Sequence, residues 1–209
     1  MFFRLKVSVI IEKIKKKSLT TIQLKKIKEL LLEYDIIYRT ETDLLKITDG
    51  NKAVLDELAA YVELSFTDYL AEHKPYLTTE QIESLVKQGF EIGSHSFSHT
   101  YYPSICEDEQ VEETLSSMEW LRLNFAVKEK LFAFPYTDFQ IKKTFFQRIE
   151  NEIDLSFGTA NLKLDSIKNN FQRIPMEIVG RATAERIVKS EYIYFIVKKI
   201  LDKHIIKRD

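Results

Sequence analysis

Apolar residues in the first third of the chain recur at the spacing of helices rather than strands. The first apolar stretch ends in three consecutive lysines at 15–17, which suit the negative end of a helix dipole. The pattern predicts three helices: residues 4–17, residues 22–35 behind a cap at Thr20 or Thr21, and residues 52–64. The first is basic and could lie on a membrane, but it is short, and we interpret it as a surface helix. Residues 1–68 are therefore predicted to be mainly helical.

Short apolar runs alternate with helical patterns in the rest of the chain. Thr78 and Gln81 form a capping box for a helix that Gly89 ends, and the residues at 90–93 favour a short buried strand behind it. Later elements are predicted as a helix over 104–124, a strand over 131–134, a helix over 139–150, strands over 155–158 and 173–178, and an amphipathic helix over 184–200. Such alternation is typical of βα units, in which helices cover a parallel sheet.

Two histidines, His95 and His99, stand four positions apart directly after the predicted strand at 90–93. On a helix or a tight helical turn such residues share a face, so both rings could bind one ion at about 2.0 to 2.1 Å. The carboxyl ends of parallel strands are also where α/β folds build their sites. The pair predicts a divalent-metal site, against the alternative that both rings only cap or pack a turn.

Composition narrows the classes of function. A chain of 209 residues with 44% apolar residues can bury one core, so we expect a single domain over 1–209. The net charge of −1 provides no field that would attract nucleic acid. The lone Cys106, expected to be buried near a helix start, excludes a disulfide framework, so a metal site must use histidine, carboxylate and water. No secretory signal or long apolar run is present, which predicts a soluble, cytoplasmic protein without a membrane partner.

Several motifs coincide between residues 69 and 138. They are Gly-Phe-Glu-Ile-Gly at 89–93, His-Ser-Phe-Ser-His at 95–99, a helix with an acidic first turn, and Phe-Ala-Phe-Pro-Tyr at 132–136. Together these motifs resemble the polysaccharide deacetylase family, also called the NodB-homology group. The resemblance implies an α/β fold, a NodB-like distorted (β/α) barrel. It also implies hydrolysis of the N-acetyl carbon–nitrogen bond of a carbohydrate.

The resemblance assigns roles to five residues of this sequence. His95 and His99 would ligate a divalent metal, which in this family is usually zinc, and Ser96 would hold their loop by hydrogen bonding. Pro135 and Tyr136 would form one wall of the groove for an N-acetylated polysaccharide or oligosaccharide. The backbone near Tyr136 would be a candidate donor to the oxyanion. Taken alone, the Pro-Tyr pair is equally well explained as a strand-ending proline beside a packed tyrosine.

This sequence departs from the family pattern in three motifs. Ala133 stands where the third motif, Arg-X-Pro-Tyr, has its arginine, and the late Leu-X-Leu-His motif is absent. The chain also has no Asp-Asp pair, which in the family supplies the general base and the third metal ligand on the opening strand. The general base is therefore unidentified. Because residues 1–68 are helical where βα alternation should begin, we expect a barrel that is incomplete at the N-terminus, with Met1 already past the first strand.

Two functions follow from these patterns. The first is a metal-dependent deacetylase-like hydrolase that acts on the N-acetyl group of a carbohydrate. The alternative is a truncated or non-catalytic deacetylase-like protein with a glycan-binding or accessory role. Near the predicted strand at 173–178, Arg173 and Glu177 would either line the groove or form a surface ion pair.

Overall fold

The computed structural model describes residues 1–176 and 183–209. It divides into two compact units, Met1–Thr78 and Thr79–Asp209. Each unit encloses a hydrophobic cluster of its own. The expectation of one deacetylase-like domain over 1–209 stays a prediction.

The first unit is built from helices. Its elements are α1 (Phe3–Lys16), α2 (Thr21–Leu32), α3 (Val54–Tyr61) and α4 (Phe66–His73), with 3-10 turns at Glu41–Lys46 and Asp49–Asn51. The three helices predicted from apolar spacing are confirmed. Thr20 caps α2, because its hydroxyl accepts the Gln23 N–H at 3.2 Å while the Gln23 side-chain oxygen accepts the Thr20 N–H at 3.0 Å. The fully buried core positions include Val7, Ile10, Ile27, Leu31, Leu55 and Leu58.

The second unit combines helices with short parallel strands. Its elements are α5 (Thr79–Lys87), a 3-10 turn (Tyr102–Ser104), α6 (Glu107–Asn124), β1 (Leu131–Ala133), α7 (Lys143–Ile149), β2 (Leu155–Gly158), β3 (Leu164–Asp165), β4 (Asn170–Gln172), α8 (Ala184–Ile200) and β5 (Ile205–Ile206). The strands β1, β2 and β4 form one parallel sheet in that order, and β3 pairs with β5 in a second. The α/β class is confirmed, and the incomplete barrel stays a prediction.

An aromatic cluster fills the core of the second unit. Tyr102 meets Phe134 edge-on with ring centroids 5.6 Å apart, and Phe145 also packs against both rings. The Tyr102 hydroxyl keeps a partner, since it lies 2.8 Å from the Thr114 hydroxyl. Burial raises the pKa of Tyr102, so the phenol stays neutral and stabilises the core as an uncharged group.

The strand predicted over 90–93 is wrong. Only Ser94 pairs with the sheet, through a single parallel bridge to Phe132, and Phe90 is 59% exposed. The segment comes closest to β1 at Gly93, where an added Cβ would lie 2.9 Å from the Leu131 Cβ. The missing side chain of Gly93 therefore permits the bridge, and the apolar residues before it do not extend the pairing.

Other predicted elements differ in their bounds or burial. The helix predicted from 139 begins only at Lys143, and β4 ends at Gln172, before the predicted strand at 173–178; residues 177 and 178 lie outside the described residues. Cys106 is exposed, not buried, because it stands at the N-cap of α6, outside the face that packs. The helix α8 is not cleanly amphipathic, since it exposes Tyr192, Ile193, Tyr194, Ile196, Val197 and Ile200.

No helix within 1–176 or 183–209 is both long enough and apolar enough to cross a bilayer.

We expect Gly158→Ala to destabilise the second unit. A Cβ at Gly158 would lie 2.2 Å from a carboxylate oxygen of Asp138, whose side chain is hydrogen-bonded and cannot swing away. Such overpacking costs about 1–3 kcal/mol. Urea unfolding followed by the fluorescence of Trp120, the sole tryptophan, measures the effect. Gly50→Ala is the control, because its nearest atom would be 3.8 Å away; equal stability of the two variants would contradict the prediction.

Candidate metal centre

His95 and His99 lie side by side just beyond the Ser94 bridge to β1. Their ring centroids are 4.8 Å apart, and the ring planes meet at 78°. The loop is not helical, contrary to the expected helical turn; Ser96 and His99 instead adopt left-handed backbone angles, with φ of 64° and 57°. The rings therefore meet through two residues with positive φ, and not through the i, i+4 spacing of a helix.

A carbonyl oxygen orients the His95 ring. His95 Nδ1 lies 2.6 Å from the oxygen of Ala133, at the end of β1. A carbonyl can only accept, so Nδ1 carries the proton and Nε2 keeps its lone pair. Metal-binding histidines are commonly oriented in this way.

Burial keeps both imidazoles neutral. It lowers the pKa of His95, although the hydrogen bond to the Ala133 carbonyl acts in the opposite direction, and nearby His99 and Arg173 lower the pKa further. Burial likewise lowers the pKa of His99. Neutral imidazole is the form that binds metals, so both rings are in the correct state near neutral pH.

Hydrogen bonds brace the loop from within and from α6. The Ser96 hydroxyl accepts the His99 N–H at 2.8 Å. The carboxylate of Glu113 accepts both the backbone N–H of Ser98, at 2.8 Å, and its hydroxyl, at 2.6 Å. The loop is therefore tied to α6 between its two histidines.

Tyr136 forms an aromatic wall beside the histidines. Its ring stands edge-on to His99 with centroids 4.8 Å apart, and Tyr101 lies 6.1 Å from it on another side. Pro135 is buried, whereas Tyr136 is exposed and has a positive φ of 55°. The structure thus brings the ring of Tyr136 to the histidines, whereas Pro135 is buried one residue before it.

Arg173 ties together the ends of neighbouring strands. Its guanidinium donates to the carbonyl oxygens of Phe134, at 2.8 Å, and Gly158, at 3.0 Å. These contacts join Arg173 to the strand ends beside the turn that carries Tyr136, and its pairing with Glu177 stays a prediction. Glu177, its suggested partner, lies outside the described residues.

A shallow groove includes His95 in its lining. Its volume is about 360 Å³, and it is lined by residues 93–97 together with Ser117, Trp120 and Leu121. Small-molecule sites have volumes of about 300–1,000 Å³, so the groove has room for a sugar ring. Exposed Phe97 and Trp120 give it aromatic surfaces.

A comparison with known families identifies the chain. The family model for polysaccharide deacetylase matches residues 25–152, more than half of the sequence. The chain belongs to the polysaccharide deacetylase family. The match includes both histidines and the turn at 135–136, and it begins well before residue 69, where the resemblance was expected to become clear. No curated protein and no solved structure matches the chain.

Membership in the polysaccharide deacetylase family supports a carbohydrate deacetylase-like function, and this family acts on N-acetylated carbohydrates. Within the described residues, however, no group of three His, Cys, Asp or Glu side chains could hold a metal ion. Two neutral imidazoles, one of them oriented by a carbonyl, fit a metal as two of its ligands. They fall one short of the three that catalytic zinc normally keeps.

A buried ion network supports the turn that carries Tyr136. Arg208 donates to both oxygens of Asp165, at 3.0 and 2.6 Å, and to a carboxylate oxygen of Asp138. Gln172 also donates to Asp138, at 2.7 Å. Burial by itself would raise the pKa of Asp138, but the hydrogen bond from Gln172, the charge of Arg208 and the Thr159 N–H together hold that pKa below its usual value.

Sequence reasoning does not single out Glu113, Asp138 or Arg208. Asp138 follows Pro135 by three residues, and this position at a strand end is a signal that could have found it. Glu113 lies 15 residues from its partner Ser98, and Arg208 lies 43 and 70 residues from its two aspartates. No local pattern marks such distant contacts.

We expect acid to destabilise the protein through Asp138. Its folded-state pKa lies below the unfolded value of about 3.9, so the stability it contributes is complete above that pH and is lost as the pH falls through the folded pKa. Asp138→Asn should lose stability at neutral pH and show a flatter pH dependence below about pH 3.9. Urea unfolding at several pH values measures this effect. Asp202→Asn, at an exposed position, should behave like the wild type, and parallel profiles for Asp138→Asn and the wild type would contradict the prediction.

Proposed function

We propose that this chain binds an N-acetylated polysaccharide or oligosaccharide at the His95 and His99 loop, that the two rings hold a divalent metal, and that zinc is the first candidate. The single observation that carries the proposal is the convergence of two neutral, adjacent imidazoles with Tyr136 in a member of this family. The reaction would be hydrolysis of the N-acetyl carbon–nitrogen bond, which releases acetate and leaves an amine on the sugar.

Each residue of the site would have a distinct role in the reaction. When bound, a divalent ion supplies a Lewis acid and lowers the pKa of water. His95 is held for binding by the Ala133 carbonyl, and His99 by the Ser96 hydroxyl at its backbone. Pro135 and Tyr136 form one wall against the sugar, and the backbone N–H of Tyr136 is a candidate donor to the oxyanion.

The incomplete barrel is part of this proposal. The described parallel arrangement has four neighbouring positions, namely Ser94, β1, β2 and β4, and the histidine loop follows the first of them. Sites in such folds lie at the carboxyl ends of the strands. The loop, the turn at Tyr136 and Arg173 all lie at that edge, which supports a deacetylase-like layout.

A second candidate is a non-catalytic member of the family that binds glycan or acts as an accessory protein. One specific observation favours it, namely that the described residues supply no third metal-binding group. A histidine bound to metal has committed its lone pair and cannot serve as the general base. A carboxylate beside the site is what hydrolysis would still need.

We expect one zinc ion per chain to bind at the histidine pair. Calorimetric titration of the purified chain should show this stoichiometry, and His95→Ala or His99→Ala should each weaken binding at least about 10-fold because a ligand is lost. His73→Ala is the matched control, because that exposed ring stacks on Tyr69 in the first unit. Absence of zinc binding by the wild type, or equal loss in His73→Ala, would contradict the metal proposal.

Acetate release from an N-acetylated chito-oligosaccharide, assayed on the same samples, separates the two functions. Release that requires both histidines supports the hydrolase. Quenching or enhancement of Trp120 fluorescence by the oligosaccharide without acetate release supports the binding protein. If neither acetate release nor oligosaccharide binding is observed, both candidates fail.

A further inference from the structure

One residue of α6 fastens the histidine loop. Glu113 accepts the Ser98 N–H and hydroxyl through its two carboxylate oxygens, at 2.8 and 2.6 Å. Its backbone carbonyl also accepts the Phe97 N–H at 3.2 Å. Three hydrogen bonds from two consecutive loop residues therefore converge on a single position of an 18-residue helix.

The loop conformation needs such an anchor. Ser96 and His99 both have positive φ. Residues other than glycine rarely adopt this backbone angle, because their Cβ then approaches the following carbonyl. The anchored residues Phe97 and Ser98 lie between these two reversals. The Ser98 hydroxyl also lies 2.6 Å from the Thr100 hydroxyl, so the anchored network extends to the far side of His99.

We propose that Glu113 is a positioning residue for the histidine pair, acting through Ser98 to hold His95 and His99 in their converged arrangement. The role of Glu113 toward metal rests on the proposed function, whereas its role in ordering the loop does not. Glu113 acts through Ser98, so it is not counted among the metal ligands.

Two substitutions at position 113 separate the hydrogen bonds to Ser98 from the negative charge of the carboxylate. A glutamine at 113 has one oxygen that can accept the Ser98 N–H and an amide group that can donate to the Ser98 hydroxyl, which then donates to Thr100. Glu113→Gln therefore keeps the network without the negative charge. Glu113→Ala removes both side-chain contacts and leaves only the backbone one.

Zinc alone is the probe for the first measurement. By calorimetry, Glu113→Ala should bind zinc about 10- to 100-fold more weakly than the wild type, as is typical when a group that orients a metal ligand is lost. Glu113→Gln should restore affinity to within about threefold of the wild type, and Glu112→Ala, at the exposed neighbouring position, should leave it unchanged. Unchanged affinity in Glu113→Ala, or a Glu113→Gln variant as weak as Glu113→Ala, would overturn the inference.

Amide hydrogen exchange on the metal-free chain provides the second measurement. Glu113→Ala should lose protection at Phe97 and Ser98 while the amides in the middle of α6 keep theirs; unchanged protection at Phe97 and Ser98 would overturn the inference. If the wild type binds no zinc, the metal proposal fails while this measurement still decides the role of Glu113. If Glu113→Ala does not fold, Ser98→Ala replaces it. Ser98→Ala should bind zinc severalfold more weakly or exchange faster at the Phe97 amide. The absence of both changes would overturn the inference.

Discussion

The second unit depends on the burial of Asp138 against Arg208. Two carboxylates and a guanidinium are buried here, and taking such charges out of water costs free energy. This desolvation cost can exceed the free energy that a single ion pair returns. The cost is offset by additional hydrogen bonds from Gln172 and Asn170 to Asp138, and from Arg208 to two backbone carbonyls. Breaking the set by removing one partner would leave a buried charge unpaired, so all of its members have to stay in place at the strand ends.

The candidate site inherits its geometry from these strand ends. Asp138 fills the space beside Gly158, where β2 ends, and Arg173 joins the carbonyls of Gly158 and Phe134. One residue before Phe134, the Ala133 carbonyl orients the His95 ring. The position of a candidate ligand is therefore connected to the buried ion network through side chains that contact the backbone of the strand ends, and none of these side chains other than His95 has to touch the metal or the sugar.

Much of this arrangement could be predicted from the sequence where the signal is local. Apolar spacing located α1, α2, α3 and α8, and the short apolar runs located β1 and β2. Burial was harder to predict: Phe90 lies in an apolar run, yet the single bridge at Ser94 leaves it exposed. The residues that hold the histidine loop could not be predicted, because a carboxylate such as Glu113 looks the same in the sequence as its solvent-exposed neighbours. Its role exists only once the loop has folded against α6.

Charge separates the two candidate functions more clearly than shape does. Two neutral imidazoles bring no negative charge to a divalent ion, and the nearby Arg173 adds a positive one, whose influence already lowers the pKa of His95. Asp138 does not compensate, because its charge is committed to Arg208. Catalytic zinc sites normally hold the ion with three protein ligands and leave a position open for water. Hydrolysis would still need a third ligand and a base that removes a proton from water. A hydrolase must therefore obtain these groups from outside the described set, whereas a glycan-binding protein needs only the groove and the aromatic wall.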